Sequence, residues 1–231
     1  MNSKCVIALC AAVVAGCGRG GPCGGPAPAP ALAADHVLLD PDAPALKRLP
    51  PDSFDVRLET TQGVVVVRIY RDWAPMGVYR FYNLARNGFY DGARFFRVLE
   101  GFAAQFGASG RPQVDQLWGA LQLPDDPPRE KNRAGTLAYA KHGSDSRTTQ
   151  LFFNYRDNEA LDAQGFAPIG MVTDGLPVLR RLYAEYGDAP PQGSGPAFGC
   201  ILTHGNAYLD RRYPRLDRIE RMVVLEAEVE H

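Results

Sequence analysis

From Ser53 onward the chain alternates apolar and polar residues with the short periods of β-structure. Phe54, Val56 and Leu58 alternate with Asp55, Arg57 and Glu59, the pattern of a strand with one buried face. Thr60 to Gly63 reads as a turn and Val64 to Tyr70 as a second strand, so the domain opens with a hairpin. Pro75 starts a helix, with Val78, Phe81, Tyr82 and Ala85 as its apolar stripe and Gly88 as its stop. Further strands are predicted over 95–99, 135–140, 149–154 and 166–172, with 109–134 as a long polar connection. A second helix is predicted from about Leu176 to Tyr186, then a Gly/Pro loop over 187–200 and a short helix from Asn206 to Tyr213. The last strand puts Val223, Leu225, Ala227 and Val229 inward and Glu226, Glu228 and Glu230 outward. Many short strands, few helices, and first and last strands able to pair predict a mainly β fold, a closed antiparallel barrel with helical plugs.

The first 52 residues follow other rules. Lys4, the apolar run Val6 to Ala15 and the small residue Gly16 form an export signal over 1–16. The run is too short to span a bilayer, which takes ~20 apolar residues. Val14-Ala15-Gly16-Cys17 resembles the lipobox of bacterial lipoproteins. That resemblance implies a lipid on the Cys17 sulfur, cleavage before it and a membrane anchor; a plain secretory signal containing a cysteine is the alternative. Gly18, in place of the Asp that marks inner-membrane retention in lipoproteins, points to the periplasmic face of the outer membrane in the bacterial cell envelope. Residues 17–51, rich in Gly, Pro and Ala, then read as the lipidated cysteine and a semi-extended tether, with His36 solvated in it.

Charge narrows the function classes. Lys plus Arg number 25 against 26 Asp plus Glu, so no basic field argues for nucleic acid. The four histidines form no pair at metal-ligand spacing and the five cysteines no Cys-x-x-Cys. Neither a metal nor a cofactor is expected. Cys200 stands alone in the folded part; a disulfide with Cys23 is the less favoured alternative, because its partner would sit in a flexible linker. No Gly-x-Ser-x-Gly or Cys/His couple suggests a hydrolase, and nothing suggests more than a monomer.

The stretch from Phe95 to Gly107 carries the candidate chemistry. Alternation sets Phe95, Arg97 and Leu99 on one face, so Arg97 emerges among apolar neighbours. A guanidinium there needs partners or a task; the alternative is an arginine whose stem packs while its head reaches water. Phe102 and Gln105 follow about one strand later. An arginine, an aromatic ring and an amide around one shallow pocket suit a ring-shaped apolar group flanked by peptide.

Four blocks extend this reading. Phe95-Phe96-Arg97-Val98-Leu99-x-Gly101-Phe102-x-x-Gln105, Gly135-Thr136-Leu137-Ala138-Tyr139-Ala140, Thr149-Gln150-Leu151-Phe152-Phe153 and Leu161-Asp162-x-x-Gly165-Phe166-Ala167-Pro168-Ile169-Gly170 resemble, in order and spacing, the cyclophilin-type peptidyl-prolyl cis–trans isomerases. The resemblance covers roughly 53–229 and sets the domain at 52–231. It implies a closed eight-stranded barrel capped by two helices, with a groove for proline-containing polypeptides on the outside. Arg97 matches the catalytic arginine. Phe102, Phe152 and Leu161 match the proline pocket, and Gln105 the glutamine that contacts the substrate backbone and holds the arginine. Ala138, Tyr139, Ala140 and Lys141 match the strand edge along which the peptide lies, and Gln150 another groove position. Phe96, Ala103 and Phe166 complete the expected substrate contacts. Ala103 replaces a usual Met, Glu100 a Pro, Phe166 a frequent His and Lys141 a frequent Asn. These departures leave a second reading, a tethered proline-binding or chaperone module of weak activity.

Overall fold

The structure, a computed structural model, describes Cys23, Ala33 and residues 36–225. The predicted signal segment, Cys17, much of the predicted tether, and Ala227 and Val229 lie outside the described residues. The hairpin forms as the alternation dictates: β1 (Ser53–Thr60) pairs antiparallel with β2 (Gly63–Tyr70), and Phe54, Val56 and Leu58 are buried. α1 (Pro75–Arg86) buries the predicted stripe, and Gly88 beyond it takes a φ of 70° that glycine adopts without strain. The chain continues through β3 (Arg97–Leu99), β4 (Ala103–Phe106), α2 (Pro112–Ala120), β5 (Thr136–Tyr139), β6 (Leu151–Asn154), α3 (Glu159–Asp162), β7 (Pro168–Asp174), α4 (Leu176–Leu179), α5 (Phe198–Arg212) and β8 (Ile219–Leu225).

The eight strands form one antiparallel sheet in the order β3-β4-β6-β5-β7-β2-β1-β8. It curls around a core in which Phe95, Phe106 and Phe153 pack in series, with ring centroids 5.4 and 5.6 Å apart. First and last strands pair, Asp55 opposite Leu225. The barrel is not closed by a continuous ladder, however. β3 and β8 are its edges, and the seam is carried by the bridge between Arg94 and Arg218 and by bonds such as Gly92 N to Ile219 O and Ile219 N to Ala93 O, both 2.8 Å.

The structure departs from the sequence reading at several places, each with a local cause. Residues 37–50 pack on the domain instead of forming a tether: Leu38 and Leu46 are buried, and Trp118 Nε1 donates to Leu38 O at 2.8 Å. His36 is not simply solvated, because its Nδ1 accepts from Leu38 N. The polar connection 109–134 contains α2, whose Val114 and Trp118 face the core. The helix expected to reach Tyr186 stops at Leu179. The carbonyl of Leu179 accepts from Tyr155 Oη at 2.6 Å, and Tyr183 N donates to Asp217 Oδ2 at 2.7 Å, so both halves of the next helical bond are engaged elsewhere. The short helix near Asn206 is the second half of α5, broken at Gly205 (φ 57°, ψ −146°). In β8 the register with β1 sets Met222 opposite Leu58, Val223 opposite Arg57 and Leu225 opposite Asp55, so Met222 is buried and Leu225 exposed, and the shift at Glu59/Thr60 then brings Ile219 inward. Cys200 is not alone: it is bonded to Cys23, 177 residues earlier, with Cα atoms 5.3 Å apart.

Candidate functional site

Strand register assembles the site. Arg97 lies opposite Gln105, Gln105 opposite Phe152, and Phe152 opposite Ala138, one row across β3, β4, β6 and β5. Directly opposed residues share a face. Their neighbours Val98, Ala104, Phe153 and Leu137 belong to the barrel core, so this row points outward. At ~4.8 Å per strand the arginine stands about two strands from Phe152. Beside the row, Ala103, Ala138, Ala140, Phe152, Leu161 and Phe166 form an apolar cluster of their own, with Phe102 partly exposed at its margin. Phe152 meets Phe166 edge-on at 5.8 Å. This cluster on the outer face, three alanines among three large side chains with Phe102 at its margin, is the candidate recess for a ring-shaped apolar group.

A buried polar network fixes the walls of that recess. Asn158 Nδ2 donates to Asn154 Oδ1 (2.6 Å) and to Phe102 O (3.2 Å). Asn132 Nδ2 donates to Phe166 O and to Asp162 Oδ1, both at 2.9 Å. Asn154 Nδ2 donates to Thr136 Oγ1 (2.8 Å) and Asn132 Oδ1 (3.1 Å). With Leu161 N donating to Asn158 O at 2.8 Å, Phe102, Leu161 and Phe166 all hang from one satisfied network, which holds them in place.

The arginine is held in an unexpected way. Gln105 Nε2 donates to Gln150 Oε1 at 2.9 Å, and both amides are buried. The Arg97 guanidinium instead donates to Asp188 Oδ2 at 2.6 Å. Burial works to raise the Asp188 carboxyl, but the hydrogen bond and charge of Arg97 outweigh it and hold it below its ordinary value.

Not every expected contact faces the recess. Tyr139 is fully buried in the barrel core, its Oη donating to Gly77 O at 3.0 Å, because β5 alternates Leu137 and Tyr139 inward with Ala138 and Ala140 outward. Phe96 packs with α5, its ring tilted against that of Phe198 at 5.5 Å, in a cluster separate from the recess. β5 is an interior strand. Its register with β7 ends at Ala138 opposite Pro168, a residue with no N–H to give, so only 139–141 lie beyond that ladder. Lys141 is spoken for: its Nζ pairs with Asp125 Oδ2 at 2.8 Å and sits 5.6 Å over the Phe166 ring.

The sequence reading missed Asp188, Asp125 and the Asn132–Asn154–Asn158 network. Asn132 and Asn158 lie in polar stretches without a period, Asn154 closes the apolar strand β6, and Asp188 stands 91 residues from Arg97 in the chain. No local signal marks any of them.

Comparison with known proteins agrees with this geometry. Residues 55–194 match the family described as "Cyclophilin type peptidyl-prolyl cis-trans isomerase/CLD". Peptidyl-prolyl cis-trans isomerase-like 1 of Homo sapiens is 32% identical over 142 residues, covering 58% of this chain and 84% of that one. Peptidyl-prolyl cis-trans isomerase B of Escherichia coli is 32% identical over 136 residues, covering 55% and 82%. The chain is also 30% identical over 178 residues to peptidyl-prolyl cis-trans isomerase-like 2 of Gibberella zeae; that alignment takes in 75% of this chain but spans only 30% of that relative's length. Among solved structures, a Cryptosporidium parvum cyclophilin superposes with a TM-score of 0.56 at 19% identity, covering 76% of this chain and 99% of that one. The same protein in the presence of the dipeptide Ala-Pro gives 0.55. With more than half its length matched, this chain belongs to the cyclophilin-type peptidyl-prolyl cis–trans isomerases, the enzymes that rotate X–Pro peptide bonds.

Proposed function

We propose that the recess holds the prolyl ring and that Arg97 drives the rotation, in proteins of the bacterial envelope or on their way through it. The observation that carries this reading is the outward row Arg97–Gln105–Phe152–Ala138 beside the separate apolar cluster. The barrier to peptide rotation, ~18–20 kcal/mol, comes from delocalisation of the nitrogen lone pair into the carbonyl. No bond breaks, so no nucleophile or acid–base pair is required. A guanidinium donating to the twisting amide favours the state in which that lone pair is withdrawn from resonance. The apolar recess grips the ring while the preceding carbonyl swings. A cyclophilin of the same fold studied with Ala-Pro supports a proline-containing ligand.

The envelope reading draws on the lipobox-like run ending at Cys17 and on the Cys23–Cys200 bond, since disulfides persist in oxidising compartments. With Cys23 fixed to α5, only the residues between positions 17 and 23 separate the lipid from the domain. At ~3.3–3.6 Å per residue they reach about 20 Å, which would keep the isomerase close to the membrane surface. Mass spectrometry of the mature amino terminus tests the anchor; a lipid-free terminus would remove it. Assistance to the folding of envelope proteins follows from that address and the reaction.

The second reading, a proline-binding module of weak activity, rests on Ala103 and on the engagement of Lys141 by Asp125. A protease-coupled prolyl isomerisation assay on the full chain decides between them. Arg97→Ala is expected to slow turnover roughly 10²–10³-fold, at 1.36 kcal/mol per decade. A variant as fast as the wild type would sink the role of Arg97.

A further inference from the structure

We infer that Asp188 is a positioning residue for the reaction, orienting the Arg97 guanidinium in place of the glutamine that the family resemblance assigned to that task. This rests on the catalytic role proposed for Arg97.

Three observations carry it. Gln105 turns its amide donor, Nε2, to Gln150 Oε1 at 2.9 Å, and among the described residues the hydrogen bond of the Arg97 side chain runs to Asp188 and not to Gln105. Next, the carboxylate is itself built into place. Its Oδ1 accepts from Ala189 N at 2.8 Å, leaving Oδ2 aimed at Arg97 at 2.6 Å, and its carbonyl accepts from Gly195 N at 2.8 Å. A Cβ at Gly193 would stand 2.3 Å from the Asp188 carbonyl oxygen, so the loop closes this tightly only with glycine there. The loop is pinned in turn, Tyr213 Oη donating to Gly195 O at 3.2 Å and Ser194 N to Tyr186 O at 3.1 Å. Finally, the contact leaves the arginine usable. Asp188 takes one terminal nitrogen of a guanidinium that carries five N–H donors in a rigid fork, and Arg97 has no buried nitrogen left without a partner.

The physical consequence concerns order, not charge supply. A free arginine samples many rotamers, and freezing it during the reaction costs side-chain entropy. A fixed carboxylate on one edge of the fork removes that freedom beforehand and sets the direction of the remaining donors. Positioning of this kind acts on the rate of the bound complex more than on substrate affinity, because the recess that holds the ring does not involve Asp188.

The test is a double-mutant set on the full chain: Asp188→Ala, Asp188→Asn, Arg97→Ala and the Asp188→Ala/Arg97→Ala pair, with kcat and KM measured separately. Asp188→Ala is expected to lower kcat roughly 10–100-fold, the range for a misplaced catalytic group, with KM moved less than twofold. Asp188→Asn, which keeps an acceptor oxygen at the same reach, should recover a large part of that loss. In the Arg97→Ala background Asp188→Ala should have no further effect. Asp188→Ala with wild-type or raised kcat, beside an inactive Arg97→Ala, would overturn the inference and make the carboxylate a mask on the arginine. An equal loss in both backgrounds would make Asp188 merely structural and overturn it too. Full activity of Arg97→Ala would instead remove the reading beneath it.

Discussion

The strand-built part of the molecule and the loop-built part are held by different physics. Between β1 and β7 the inward positions are large, apolar and fully buried, and the outward recess is their by-product: Phe153 fills the core while Phe152, one residue earlier, lines the recess. The loops around 109–134 and 180–218 carry a smaller apolar cluster around α5 and depend on point contacts. These include the Cys23–Cys200 bond, the Arg97–Asp188 and Arg94–Asp210 pairs, and single carboxylates that gather backbone N–H groups. Volume changes should therefore damage the first part, and changes of redox state or pH the second. The arginine belongs to both, its backbone set by strand register and its head by a loop.

Neighbours on β6 give the sharpest break of that contrast. Phe153→Ala removes a ring packed against Phe106 and is expected to cost about 3–5 kcal/mol of stability. Its folded fraction should keep wild-type kcat/KM. Phe152→Ala also empties a buried site, but its folded fraction should lose activity as the ring wall disappears. Denaturant midpoints with kcat/KM on the same preparations check both. Equal activity losses in the two variants would mean that the faces of the strand are not separate in function.

The disulfide comes next in size. Closing a chain of 177 residues between Cys23 and Cys200 restricts the unfolded state, and losing such a bond typically costs about 2–5 kcal/mol. Cys200→Ser and reduced wild type should therefore melt together, well below the oxidised protein. A melting temperature indifferent to reductant would show that the cluster around Ile201, Tyr208 and Leu209 holds α5 by itself.

How much of this the sequence discloses follows the same division. Phe54, Val56 and Leu58, or Leu137 against Ala138, declare their faces by period alone, so the barrel and most of the recess are legible. The same alternation puts the Tyr139 side chain inside, so what Tyr139 offers on the strand edge named by the resemblance is its backbone, beyond the ladder with β7. Asp188, Asn132 and Asn158 carry no period. Their roles depend on which distant atom they reach, and only the closed fold determines that. The failed helix beyond Leu179 has the same origin: Tyr155 and Asp217 take its next hydrogen-bonding partners from outside. The apolar residues of 37–46 are hidden by the Pro- and Ala-rich composition around them, though Leu38 and Leu46 are buried like the inward strand residues.

The smallest predicted effect lies at the start of α2, in the loop-built part. Asp115 Oδ1 and Oδ2 accept from Ser109 N (2.6 Å) and Gly110 N (3.0 Å), and the Gly110 carbonyl in turn accepts from Asn206 N of α5 at 2.9 Å. Burial pushes the Asp115 carboxyl up to about 6, and the Ser109 and Gly110 N–H groups do not offset it fully. A carboxyl with a raised folded-state value binds its proton more tightly folded than unfolded. Its contribution to stability is therefore fully present below the unfolded value, near 3.8, and is lost as pH rises through 6. From pH 4 to pH 7 the wild type should lose stability relative to Asp115→Asn, by up to on the order of 3 kcal/mol. Asp188, with a lowered value, contributes in the opposite sense and loses its contribution as pH falls, so the difference between the two proteins is the quantity to follow. Denaturant unfolding at the two pH values measures it. A difference that stays constant with pH would mean that the two N–H groups keep Asp115 ionised throughout, and the loop-built part would then be no more pH-sensitive there than the strands.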